Sequence, residues 1–340
     1  MITNRQKNFM VIFCCNSLFL GLGYFIIFNT TNNNSFICSL IGGLLGLLFT
    51  FIYKIFLEKK KDKRLTEFLN EYNTLGKIIR LLLILLSIAI TLTNIFIIKE
   101  FIKSFFLINM PSFLITLPIL LLIVYISFKD YNILAYISEC LIPISLVLTI
   151  FIFIALIFKA DYSNLKPFFS SNTISMIKSI FYYFVLSTSP LLLLSDIKFN
   201  SYNISNVYLL NSIIITITSV LITGILGNFL TKTYRFLEYM ILKNIQIFNF
   251  IEKIENILSI SWIINSFLLL FLSSLFLKNL LPKKYNNYSH FFIILTINII
   301  VCTLMSNSYF ELINLYIPYI LGFLLISITI CFIIINLKHM

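Results

Sequence analysis

The sequence predicts an all-α polytopic membrane protein of about ten transmembrane helices, and three observations carry that prediction. Hydrophobic residues are 59% of the 340 and charged residues only 11%, where a soluble domain carries roughly 25% charged residues. Mean hydropathy is +0.99. Apolar runs close to the ~20 residues that cross a bilayer recur along the whole chain, separated by short polar breaks. The runs cover 9–28, 36–57, 78–98, 113–128, 133–158, 177–195, 207–230, 257–277, 291–305 and 315–335. We read residues 1–340 as a single integral membrane domain, with 9–158 and 177–335 as two halves of five runs each.

The breaks between runs are chemically distinct. Residues 29–35 (NTTNNNS) form a polar turn, 58–64 (EKKKDKR) a charge run, and 282–289 (PKKYNNYS) a basic, Asn-rich loop. The fourth and ninth runs are short. The first run lacks an A-x-A-like cleavage site and is followed by further runs, so it reads as a span. Residues 231–256 are too long for a plain connection. There Leu237, Met240, Ile241, Ile245, Phe248 and Ile251 recur at near-helical spacing, with Glu238, Lys243 and Glu252 between them. That pattern predicts an extracellular amphipathic helix or helical hairpin. It lies in the headgroups or closes as a lid over a central site.

The net charge of +12 does not imply nucleic acid, because so few residues are charged at all. With the N-terminus inside, sixteen of the 25 Lys and Arg fall on the inner side, which fits the positive-inside rule and puts both termini in the cytoplasm. The six cysteines (Cys14, Cys15, Cys38, Cys140, Cys302, Cys331) lie within apolar runs and lack C-x-x-C or Cys/His spacing, so they read as small apolar side chains. No paired carboxylates, nucleophile–base set, metal-ligand cluster or glycine-rich phosphate loop is present. The chain reads as a non-enzyme without cofactor or metal.

Two runs carry helix breakers at comparable places. Gly21-Leu22-Gly23 sits two-thirds along the first run, and Ser187-Thr188-Ser189-Pro190 lies in the sixth. If ten spans divide five and five, these are counterparts, and discontinuous helices bind substrates with their exposed backbone groups. Gly42, Gly43 and Gly46 in the second run read as helix-packing residues. Among acidic residues only Glu139 falls clearly within a run, while Lys99 and Glu100 flank the end of the third and are placed to pair or snorkel.

Four stretches together resemble the B subunit of spore germinant receptors, of the amino acid–polyamine–organocation superfamily. Ile2-Thr3-Asn4-Arg5-Gln6 resembles an I-S-x-x-Q entry to the first span. Ile98-Lys99-Glu100-Phe101, then Leu107 to Pro111, resembles L-R-E-F followed by L-P-x-T-P. Glu139-Cys140-Leu141-Ile142-Pro143, then Asp161 to Pro167, resembles E-I-x-x-P followed by D-x-x-N-L-x-P. Phe250-Ile251-Glu252-Lys253-Ile254-Glu255, with Trp262 seven residues later, resembles F-L-E-R-I-E and its tryptophan. Lys99 and Lys253 stand where the family usually has Arg, so a bidentate carboxylate pair is lost there.

The resemblance implies a LeuT-like 5+5 inverted repeat, with the first and sixth helices unwound at a central pocket. It implies a subunit that senses a small germinant, often an amino acid, beside separate A-type and C-type subunits; a secondary amino acid transporter is the alternative. On this reading Gly21 and Gly23 offer N–H groups to a carboxylate, and Ser187, Thr188 and Ser189 before Pro190 meet an ammonium. Lys99, Glu100, Glu139, Glu252, Glu255 and Trp262 are the structural or gating residues.

Overall fold

A computed structural model describes residues 2–60, 63–197, 204–243, 255–282, 286–305 and 310–337. Among these the chain is helical, with no strand. In order, the helices are α1 (Asn4–Ser17), α2 (Tyr24–Thr31), α3 (Ser35–Lys60), α4 (Leu65–Asn70), α5 (Asn73–Phe105), α6 (Ser112–Ser127), α7 (Tyr131–Ile157), α8 (Thr173–Thr188), α9 (Ile204–Thr233), α10 (Leu237–Lys243), α11 (Glu255–Leu280), α12 (Asn286–Thr303) and α13 (Phe310–Leu337). A π-helical turn, Phe19–Gly23, joins α1 to α2, and a 3-10 segment, Ser189–Asp196, continues α8.

Among the described residues eight helical segments are long and apolar enough to cross a membrane. The α1–α2 pair forms one of them, and α8 with its 3-10 extension forms another. Two further apolar helices, Ser112–Ser127 and Tyr288–Thr303, are shorter. They correspond to the fourth and ninth apolar runs, whose shortness the sequence already displays. In order along the chain, these elements match the ten runs.

Burial sorts the helices. The α1–α2 segment is central, with 88% of its apolar window buried; α7 is peripheral at 22%. On α7, Val147, Ile150, Ile154 and Phe158 are all more than half exposed, a surface that an apolar solvent must cover. The α1 entry is fixed locally by a capping box: the Thr3 hydroxyl accepts from the Gln6 N–H, and the Gln6 amide oxygen accepts from the Thr3 N–H at 2.9 Å. It is fixed globally by Glu139 of α7, which accepts from the Gln6 side-chain amide at 2.7 Å and lies 3.7 Å from Arg5.

Basic side chains cap helix C-termini at one end of the bundle. Lys60 donates to the carbonyls of Ser195 and Ile197, Lys59 to Asn336, Arg80 to Leu280 and Lys278 to Ser127. The last carbonyls of a helix have no partner within it and carry the negative end of its dipole, so a cation there satisfies both. The opposite end is tied in part through neutral groups. Asn33 donates to the Lys166 carbonyl at 3.0 Å, and Asn34 donates to the Ser171 hydroxyl at 2.6 Å while its oxygen accepts from the Phe169 N–H.

Close packing of α3 depends on glycine. A Cβ on Gly43 would lie 1.9 Å from the Ser212 hydroxyl, and one on Gly46 would lie 1.8 Å from the Tyr208 hydroxyl. Those contacts bring α3 against α9, as small residues do in membrane bundles.

Candidate functional site

The central feature is the break in the first span. Gly21 has φ +90°, a conformation that costs an L side chain dearly and glycine little. The Gly23 N–H reaches back to the Leu18 carbonyl at 3.0 Å, five residues earlier, which is the wide turn of a π-helix. Gly23 therefore spends its N–H inside the chain segment.

α10, in the long loop after α9, packs against this turn and carries Glu238. Glu238 is 5% exposed, and its Oε2 has no hydrogen-bond partner. Burial pushes the Glu238 carboxyl up to about 7, while the nearby backbone N–H groups pull the other way. α10 buries Leu237, Ile241 and Leu242 as well. The loop thus packs down into the bundle with its charged side chain beneath it.

Phe236, just before α10, covers Gly21 directly: a Cβ there would lie 3.1 Å from its ring and 2.9 Å from the Ile97 side chain of α5. The Phe236 ring also meets Phe101 (5.2 Å), Phe105 (5.6 Å), Phe310 (6.2 Å) and Trp262 (6.5 Å) between centroids. Tyr239 packs on Phe105 at 4.3 Å, and Trp262 on Phe101 at 4.4 Å. An aromatic seal closes the break from the loop side.

The second breaker is a helix change. α8 gives way to the 3-10 segment at Ser189, with Pro190 in its first turn, where a missing N–H costs nothing. Phe19 of the π turn packs on Tyr183 of α8 with centroids 4.7 Å apart, so the two irregular segments meet through rings. The hydroxyls are mostly committed. Ser187 donates to the Phe184 carbonyl and shares a 2.7 Å bond with Tyr208; Thr188 donates to the same carbonyl at 2.6 Å. Only the Ser189 hydroxyl of the three is buried without a partner.

Lys99 and Glu100 pair but do not snorkel. Both are 1% exposed, inside α5, with Lys99 Nζ 2.9 Å from Glu100 Oε1. Lys99 also donates to the Val301 and Met305 carbonyls at the end of α12 and lies 5.0 Å from the Phe96 ring. It is a C-terminal cap at the far end of the bundle from Lys60. Glu139, by contrast, stands at the α1 entry, away from the break. Glu252 lies outside the described residues, and Glu255 opens α11. Glu238 is the participant that sequence reasoning missed: in the loop pattern it looked like one more polar-face charge.

Among known families, the one described as spore germination protein matches residues 2–311. The chain belongs to the spore germination protein family. A solved structure, the substrate-bound outward-open state of a Na+-coupled sialic acid symporter, resembles this member with a TM-score of 0.58 at 12% identity, over 97% of this chain and 84% of that one. Such a likeness establishes the fold, a LeuT-type transporter bundle, and nothing about the cargo. A comparison with curated proteins gives no match. This family member is thus a multi-pass membrane protein of permease type, in line with the resemblance noted in its sequence.

Proposed function

We propose that this spore germination protein is the ligand-sensing membrane subunit of a nutrient germinant receptor, binding an amino acid-like zwitterion at the break in its first span. The observation that carries this reading is a glycine break, buried at the centre of a LeuT-type bundle, where Gly21 takes φ +90° within a π turn. Ten spans in a 5+5 inverted repeat, with both termini cytoplasmic, complete the architecture. The basic residues gathered at the Lys60 end support that orientation.

On this reading the Gly21 N–H receives the ligand carboxylate and the Ser189 hydroxyl the ammonium, while Gly23, Ser187, Thr188 and Pro190 shape the backbone around them. Binding stabilises one of two arrangements of the bundle, and the shift passes to A-type and C-type partner subunits. No catalytic step is assigned.

A second reading, secondary amino acid transport, draws support from the likeness to a symporter. The same preparation tests both. Ligand-dependent thermal stabilisation of the purified protein across an amino acid panel should single out one or a few zwitterions. Uptake of that ligand into proteoliposomes separates transport from sensing, since a pure sensor binds without net uptake. No stabilisation by any member of the panel would remove the amino acid reading.

A further inference from the structure

We propose that the cleft between the end of α6 and the start of α12 binds an anionic glycerophospholipid. Its phosphate meets the Lys278 ammonium, and an acyl chain lies in the cleft. The site is separate from the break in the first span and does not depend on how that break is read.

The cleft holds a cavity of about 400 Å³, lined by Val124 and Phe128 at the α6 end and by Tyr288, Phe291 and Phe292 of α12. Phe128, Tyr288 and Phe292 are each more than half exposed, so the cavity opens on the outer flank of the bundle. Its volume far exceeds the ~30 Å³ share of one water, and a water needs polar partners. Ser127 and His290, the polar residues in the lining, already hold hydrogen bonds. The Ser127 hydroxyl donates to the Val124 carbonyl at 2.7 Å, and His290 Nε2 lies 3.2 Å from the Ser274 hydroxyl of α11. An apolar chain suits such walls better than water does.

Charge decides the occupant. Lys278 of α11 touches two residues of the lining: its Nζ donates to the Ser127 carbonyl at 2.9 Å and stands 4.5 Å from the Phe128 ring centroid. An ammonium has three N–H donors, and that carbonyl takes one. Lys129 follows Phe128, with its Nζ 4.9 Å from the Tyr125 ring. Tyr288 lies in the first turn of α12, where backbone N–H groups and the positive end of the helix dipole favour an anion, and that turn carries no acidic residue. Against these stands Asp130, next to Lys129 in the chain. A neutral lipid would leave the ammonium groups unmet, and a free phosphate would leave the ring-lined cavity empty. A lipid with an anionic headgroup satisfies both parts. A partner helix, ~10–12 Å across with its side chains, is too wide for this cavity.

The test uses the purified full-length protein, stripped of lipid in a neutral detergent, with dioctanoyl phosphatidylglycerol as the probe. This lipid should raise the melting temperature of wild type at concentrations roughly tenfold below those that dioctanoyl phosphatidylcholine needs, the scale of one hydrogen bond to a charged group. Dioctanoylglycerol and inorganic phosphate should leave it unchanged. Lys278→Gln keeps a donor for the Ser127 carbonyl and drops the charge, so it should melt near wild type yet need roughly tenfold more phosphatidylglycerol. Lys54→Gln, on α3 and away from the cleft, should respond as wild type does. Val124→Phe fills the cavity with every charge in place and should lose the lipid effect; it decides the matter if Lys278→Gln does not fold.

No stabilisation by phosphatidylglycerol, or equal potency of the two phospholipids, would overturn the proposal. Equal losses in Lys278→Gln and Lys54→Gln would reduce the effect to general surface charge and overturn the site. Stabilisation by inorganic phosphate alone would make it an ion site and overturn the lipid. An undiminished effect in a folded Val124→Phe protein would put the lipid elsewhere and overturn the cleft.

Discussion

The Phe236 ring lies over Gly21, 3.1 Å from where a Cβ would stand, joining the long loop after α9 to the interrupted first span. Through this contact a break in one helix and a short helix far away in sequence become one element. The loop supplies the ring, and the break supplies the bare backbone that it covers.

Gly21 and Gly23 should respond differently to the same substitution. Gly21→Ala adds a methyl group at φ +90° against Ile97 and Phe236, so it should cost about 1–3 kcal/mol and loosen the loop. Gly23→Ala meets only the Phe19 ring, at 2.8 Å, which can turn, and should leave the loop seated. Melting temperature and acrylamide quenching of Trp262, the sole tryptophan in the chain, read both effects. Equal quenching in the two variants would contradict the role given to Gly21.

Seating of α10 should weaken as pH rises. Glu238 is raised from an ordinary value of 4.5 to about 7, so the seated form binds a proton that the released form gives up. The contribution is full below about pH 4.5, is lost progressively up to about pH 7, and changes little beyond. The Tyr24 phenol on α2 faces the carboxylate, and Arg235 and Lys243 lie on the same loop. Trp262 quenching should therefore climb between about pH 4.5 and about pH 7 in wild type and stay level in Glu238→Gln.

The Lys99–Glu100 pair should behave as a unit. Lys99→Met leaves a buried carboxylate alone and uncaps α12, and should cost about 3–5 kcal/mol. The double variant Lys99→Met with Glu100→Gln removes the stranded charge and should melt above the single one. Thermal denaturation of the three proteins checks the order. Additive losses would mean that the two side chains do not interact.

Gly46→Ala should destabilise by about 1–3 kcal/mol, because the new methyl group overlaps the Tyr208 hydroxyl and pushes α3 off α9. It should also break the 2.7 Å Ser187–Tyr208 bond. Shortening the obstacle with Tyr208→Leu should restore part of the lost melting temperature. A Gly46→Ala protein as stable as wild type would show that α3 has slack there.

The sequence by itself determined the order of the apolar helices, the two short ones among them, and the glycine break in the first span. Those features are local: runs of apolar residues must leave water, and Gly21-Leu22-Gly23 permits a backbone that bulky neighbours forbid. Only the tertiary structure decided who meets whom. Lys99 and Glu100, at a predicted span end, became a buried pair because α12 brings carbonyls to the ammonium. Glu139 became an anchor for α1 because Gln6 lies across from it. Glu238, one charge among several in an amphipathic loop, became a buried side chain because α10 packs against the break. A hydrogen bond acts over about 3 Å, and nothing in a residue's own neighbourhood along the chain states which distant group packing will bring that close.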